Sequence, residues 1–464
     1  MSVVKSALLG SAAVLAVVAS AQAADLPSKK AAPATYVKIC DAYGAGFFYI
    51  PGSDTCVRLG GYVRAEYQYV PGKDVNSPTA ATAAAVVSQS KNVQSETGYE
   101  VRGRIDVDAR TPTSMGAART FVRLRASNTS GVRNTTISDK SAYGMSDASS
   151  TGITIESALV QWAGFTFGVA AENYAMMPSM MYGANPWTGF PNGMKQIAYT
   201  AKLGGGLSAT VALEDRKDYN YDQTAFDQPQ TAANLIANIR MDQSWGFAAV
   251  HTLLGNNSIN KSNVDGTVGQ KTFSGWGVGS TVNLKLPMIA AGDQIWVTAN
   301  YADGALGALL SKGGMSNMST SSNHRLLGGI VRVDQNVVQT NAVTGAATAT
   351  NVYTYDTTTG WNLSMAATHY WASKWRSNLT AGYVEINPPK STLANTWGKG
   401  QLWEVTGSII YSPAKDLDIG LEVQYANLKS ALQNASTTNA WALAGSPGLN
   451  ESNVTTKLRV QRTF

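Results

Sequence analysis

The side chains best placed to do chemistry in this chain are cations repeated at a spacing of two. Arg102 and Arg104, Arg123 and Arg125, and Lys457 and Arg459 each stand at i, i+2, and Arg58 and Arg64 belong to a similar run. In an extended strand that spacing puts both charges on one face. Fixed guanidinium groups on a wall order water and steer anions; they do not make or break bonds. Conventional catalytic groups are sparse. The 3 histidines, His251, His324 and His369, lie far apart and lack metal-ligand spacing. No HExxH, P-loop or CxxC pair occurs. His251 and His369 also fall on the apolar faces of candidate strands, which argues against a Ser/His/carboxylate site. The reading is no enzyme, no catalytic residue, no cofactor and no metal.

The elements that hold these cations are strands with two unlike faces. In Val57 to Tyr69, Val57, Leu59, Val63, Tyr67 and Tyr69 share one face, and Arg58, Tyr62, Arg64, Glu66 and Gln68 the other. Val101, Ile105 and Val107 alternate with Arg102, Arg104, Asp106, Asp108 and Arg110. Val122, Leu124 and Ala126 oppose Arg119, Arg123 and Arg125. Val454, Leu458, Val460 and Phe464 oppose Lys457, Arg459 and Gln461. Weaker repeats fall at 153–162, 164–170, 195–203, 207–214, 233–241, 245–252, 272–286, 294–301, 325–333, 361–370, 376–386, 401–411 and 416–427. That makes about seventeen candidates, with 325–333 the weakest. Single-chain bacterial barrels use even strand numbers, so sixteen is the expected value.

Connection lengths alternate as well. Short ones fall at 111–118, 204–206, 287–293, 371–375 and 412–415, and long ones at 70–97, 128–150, 215–232, 253–271, 302–324, 334–360, 387–400 and 428–452. Short turns at one end and long loops at the other is the pattern of an outer-membrane barrel, with the short turns periplasmic. A secreted β-sandwich or β-helix would bury one strand face against another sheet and would not sort its loops by side.

Composition and the amino terminus agree. Charged residues are 14% of the chain and apolar ones 44%, with 44 Gly, 20 Tyr and 11 Trp. Lys5, the apolar run Ala7 to Ala19 and Ala21-Gln22-Ala23 read as a signal peptide over 1–23, too short to span a bilayer as a helix. The net charge of +6 becomes about +5 without Lys5, which does not suggest nucleic acid. Both cysteines, Cys40 and Cys56, lie in the exported part, where the single possible bridge is Cys40–Cys56. Closing that loop is worth roughly 3 kcal/mol in the chain-entropy model. The expected organisation is a signal peptide over 1–23, a periplasmic-side segment with the disulfide loop over 24–56, and a barrel over 57–464. In hydrocarbon an unpaired backbone group costs several kcal/mol, so a closed barrel is the only sheet that survives there. Aromatic residues such as Tyr67, Tyr69, Trp403, Tyr411 and Tyr425 would form the interfacial girdles. At this strand number the interior stays open to water.

The local words carry a family resemblance. Tyr36 to Gly61, spanning Cys40 and Cys56, resembles the amino-terminal signature of alphaproteobacterial outer-membrane porins. Tyr411 to Tyr425 is similar to that family's penultimate hairpin, Phe165-Thr-Phe-Gly168 to the end of its fifth strand, and Lys457 to Phe464 to its last. The terminal Phe464 resembles the signal read by the barrel-assembly machinery. The resemblance implies a 16-stranded homotrimeric barrel in outer-membrane lipid that passes small hydrophilic solutes by diffusion. It also implies a third external loop folded into the lumen, here about 171–195. That stretch holds Glu172 and Lys195 as its only charges, beside Met176, Met177, Met180, Met181, Tyr182, Trp187 and Phe190.

Closure of the barrel would set Lys457 and Arg459 beside Arg58 and Arg64, with Arg102, Arg104, Arg123 and Arg125 on the next two strands. One sector of the pore wall would then be basic, opposite a loop with little acid. The expected pore is non-selective to mildly anion-selective, unless external acids such as Asp215, Asp218, Asp222 and Asp227 shift it. A narrower substrate-specific channel and a barrel-based adhesin or receptor remain as alternatives.

Overall fold

The computed structural model describes residues 38–71, 73–78, 88–93, 95–131, 150–178, 180–182, 193–215, 233–262, 268–310, 335–341, 351–387, 396–433 and 448–464. The signal-peptide reading, the candidate strand at 325–333, Trp187 and His324 lie outside them. The chain divides into two compact units, Met1–Cys56 and Val57–Phe464. In the first, the Cys40–Cys56 bridge is formed, with its Cα atoms 6.0 Å apart. Cys40, Cys56 and Phe47 are buried together, and Tyr43 meets Phe47 edge-on at 5.9 Å.

The second unit is a closed antiparallel barrel of 16 strands. In chain order they are β1 (Cys56–Val70), β2 (Glu96–Thr113), β3 (Gly116–Gly131), β4 (Ser150–Trp162), β5 (Phe165–Ala170), β6 (Met194–Gly204), β7 (Leu207–Glu214) and β8 (Asn234–Gln243). There follow β9 (Gly246–Ser262), β10 (Val268–Lys285), β11 (Gln294–Asp303), β12 (Thr359–Ala372), β13 (Trp375–Asn387), β14 (Thr396–Ala414), β15 (Leu417–Gln433) and β16 (Gly448–Thr463). Each pairs with the next. The ring closes where β16 lies against β1, in register from Tyr62↔Thr463 to Tyr69↔Thr456. Two short hairpins, Lys73–Pro78 with Ser88–Val93 and Gln335–Asn341 with Asn351–Thr357, stand apart from the barrel sheet.

The period-two pattern explains the sidedness. Leu59, Val63, Val101, Ile105, Leu124, Leu458 and Val460 are exposed, each 40% or more, while Glu66, Gln68, Glu100, Asp108 and Lys457 on the alternate positions are 3% or less. So much outward apolar surface would aggregate in water, and in lipid it is solvated. Outward aromatics meet across strands in a continuous run. Trp276 meets Tyr301 at 5.4 Å, Trp361 meets Tyr383 at 5.2 Å and Trp403 meets Tyr425 at 4.9 Å. Trp375 stacks on Tyr411 at 4.6 Å at the opposite, short-turn end. One such turn, Ala163-Gly164, has φ of 50° and 88°, the two positive values a tight hairpin of matching twist demands.

Candidate functional site: the lumen wall and its inserted loop

Odd–even alternation fixes which charges look inward, and closure gathers them. On β16 and β1, Arg459 and Arg64 both reach Glu66, with Arg64 Nη1 at 3.4 Å, and Arg64 Nε donates to Gln461 at 3.0 Å. On β2 and β3, Arg104 and Arg123 share Asp106 at 3.3 and 2.9 Å. Asp108 serves Arg110 at 2.9 Å, Arg119 at 3.0 Å and Arg58 more loosely at 3.9 Å. Arg102 pairs with Glu100 and Arg125 with Glu156 on β4. Lys457, almost fully buried, lies 3.9 Å from Glu422. Interleaved carboxylates thus hold the arginines of β16, β1, β2 and β3. Because single acids serve two or three arginines, the sector keeps an excess of positive charge. Sequence reasoning passed over Arg110 and Arg119 as pore-wall groups, although their inward parity was readable, and over Arg376, which pairs with Asp418 at 2.6 Å.

The third external connection, between β5 and β6, does run inside the barrel. Its path can be followed by its anchors. The Asn173 amide nitrogens donate to Glu214 at 2.8 and 2.6 Å and to Gln196 at 2.6 Å, and Asn238 donates to the Asn173 carbonyl at 2.9 Å. Tyr174 meets the His251 ring edge-on at 4.5 Å. Met177 sulfur accepts from Ser364 at 3.9 Å, Met180 sulfur from Thr368 at 3.5 Å, and Asn378 donates to the Met180 carbonyl at 3.4 Å. Tyr182 ends the described path at the far wall. Its N–H donates to Glu422 at 2.6 Å, its carbonyl accepts from Arg459 at 2.9 Å, and the Arg459 guanidinium lies 3.9 Å over its ring. A Cβ on Gly420 would collide with the Tyr182 hydroxyl, so the glycine opens that berth. Burial, and the Glu422 charge against the counteracting Arg459, push the Tyr182 hydroxyl up to about 12, so it stays neutral.

The loop thus crosses from the β6–β8 wall to β15 and β16, and its anchors are mostly neutral. Glu172, the second residue of the loop, is buried. Lys195 does not belong to the loop: it is the second residue of β6, faces away from the lumen with Ile197 and Tyr199, and bridges Asp215 at 3.1 Å. In sequence Lys195 falls both in the expected loop and in the candidate strand at 195–203, and the strand holds it. His251 also differs from expectation. It faces inward, buried with Phe247, Ala249 and Leu253, while Val250 and Leu254 face lipid. Below the loop a space of about 430 Å³ is lined by Arg64, Arg376, Arg459, Asp418, Met180 and Tyr182, among others. Polar and charged groups line one side of this space, and thioether and aromatic surface the other.

The sequence profile of the Porin subfamily matches residues 25–446. Porin Omp2b of Brucella suis biovar 1 (strain 1330) is 34% identical over 264 residues, 53% of this chain and 64% of the relative. Porin Omp2b of Brucella canis is 33% identical over 262 residues. The chain spans less than two thirds of the length of these curated relatives. Among solved structures, the outer membrane channel DcaP of Acinetobacter baumannii is similar in fold, with a TM-score of 0.58 at 17% identity, covering 90% of this chain and 99% of that chain.

Proposed function

The chain belongs to the Porin subfamily, and on that premise we propose that it forms a water-filled pore through which small hydrophilic solutes and ions diffuse passively across the outer membrane. One observation carries the reading: a closed barrel whose outside is apolar and whose inside is a ladder of paired arginines and carboxylates facing an inserted loop. Water must reach that ladder, because so many charges cannot be kept dry at tolerable cost. The pore-wall roles belong to Arg58, Arg64, Arg102, Arg104, Arg123, Arg125, Lys457 and Arg459, and the narrowing to Glu172, Met177 and Tyr182. Segment 24–56 is a periplasmic-side element, Phe464 an assembly signal, and the working unit a homotrimer; family membership supports the last. Passage of solutes needs no catalytic group.

Proteoliposome swelling with sugars of graded size tests the proposal. A smooth fall of rate with solute size is expected. Absence of swelling with the smallest sugar contradicts it. A second reading, a narrower substrate-specific channel, gains support from a second segment that folds inward, Gly304–Leu310; swelling by one sugar class only would favour it.

A further inference from the structure

The chain leaving the top of β11 turns at Gly304, with φ of 63°, and forms a short 3-10 turn at Leu306–Ala308. This opening of the sixth external connection does not rise away from the barrel. Leu306, Leu309 and Leu310 are each 2% exposed or less and belong to the same apolar cluster as Tyr174 and Met177 of the third loop. The wall beneath them is shaped for it. On β10 the three inward positions Gly275, Gly277 and Gly279 alternate with outward Trp276 and Val278. A Cβ at Gly277 would stand 2.5 Å from Ala308 Cβ and 3.3 Å from the Tyr174 hydroxyl, so one missing side chain makes room for both segments. A Cβ at Gly275 would strike Gly304 and approach Ala305 to 3.4 Å, and one at Gly360 on β12 would come within 2.7 Å of Leu309 Cδ1. The Leu309 carbonyl also accepts a hydrogen bond from Asn362, itself held by Asn300 at 2.8 Å.

Only about 10 Å³ is left between Tyr174, Met176 and Met177 on one side and Ala308, Leu309 and Leu310 on the other. That is no more than a single water could occupy. Close-packed contacts transmit displacement, so the two segments cannot move independently.

We propose that Gly304–Leu310 is a second constriction element, seated in the glycine trench of β10, that holds Tyr174 and Met177 of the third loop in place and thereby sets the width of the pore. Leu306 and Leu309 are positioning residues: they act on solutes through the third loop. This rests on the channel reading above and adds to it a part of the chain that determines the size limit.

The test is unitary conductance and open-channel noise in planar bilayers, with heat-modifiable gel mobility to verify barrel folding. L306A/L309A, Tyr174→Ala and their combination are compared with the unaltered protein. L306A/L309A is expected to raise both unitary conductance and noise, and Tyr174→Ala to do the same. The combination should rise no further than the larger of the two, because both release one packed unit. The reversal potential in a salt gradient should not move, since no charge is altered. Native conductance and noise in L306A/L309A overturn the proposal, and so do fully additive effects. Should L306A/L309A fail to fold, Asn362→Ala cuts the tie to Leu309 and leaves the apolar packing in place; higher noise supports the proposal and native noise overturns it. An unaltered protein without conductance refutes the channel reading itself.

Discussion

The two halves of the lumen wall solve opposite problems. From β16 through β4 many inward positions are Arg, Lys, Asp or Glu, and Glu66, Asp106 and Asp108 each serve two or three arginines. From β9 through β12 the inward runs 247–253, 275–283, 294–302 and 360–368 contain no Arg, Lys, Asp or Glu. The first half must stay wet, because a ladder of charges is stable only with water or partners at every rung. The second can be dry, and it is there that Tyr174, Met177 and Leu306–Leu310 pack. The middle of the inserted loop docks there on neutral groups, while its two ends are tied to charged ones, Glu214 at Asn173 and Glu422 and Arg459 at Tyr182. The contrast separates the apolar packing of the inserted segments on the dry wall from the charged tie of Tyr182 on the other.

Filling the dry wall should have the largest effect. Gly277→Val pushes a branched side chain into Ala308 and Tyr174, and overpacking of this kind costs about 3 kcal/mol. Urea unfolding in detergent micelles should show that loss together with a larger unitary conductance. On the charged wall, Asp108→Asn leaves Arg58, Arg110 and Arg119 without their shared carboxylate. Since these arginines are partly solvated, a loss of about 2 kcal/mol is expected, with the reversal potential moving toward anions. Arg58→Gln should do much less. Its side chain is 48% exposed and 3.9 Å from Asp108, and such pairs are worth under about 0.5 kcal/mol.

The smallest effect lies at the short-turn rim of the dry wall. Burial alone would raise the Asp293 carboxyl, but hydrogen bonds from His369 at 2.6 Å and the Tyr370 N–H at 2.8 Å outweigh it and hold it below the usual carboxylate range. A depressed acid stabilises above its unfolded value, near 4, and that contribution is lost as pH falls through the lower folded value. Asp293→Asn should therefore lower the unfolding midpoint at neutral pH, and the gap should close below about pH 4. A gap that persists at low pH would show that the bonds to the turn do not depend on the carboxylate charge.

The charged wall was legible in the sequence and the dry wall was not, for physical reasons. Where one face is charged and the other apolar, as in Val101 to Arg110, parity assigns every side chain, and closure then follows from the pairing of β16 with β1. On β9 both faces are apolar, Ala249 and Leu253 inside and Val250 and Leu254 outside. Hydropathy therefore cannot tell lumen from lipid, and His251 was set on the wrong face. Gly275, Gly277 and Gly279 fall inside the candidate strand at 272–286, but the space they leave has meaning only beside the segment that occupies it. Leu306, Leu309 and Leu310 stand apolar at the opening of a connection whose length gave no sign of folding inward.

Planar-bilayer recording of the purified protein in a salt gradient tests the central claim most directly. Stepwise openings with a reversal potential near zero, or displaced modestly toward anions, are predicted from the excess of arginine over carboxylate on the wet wall. A closed membrane, or a clear preference for cations, would contradict the account.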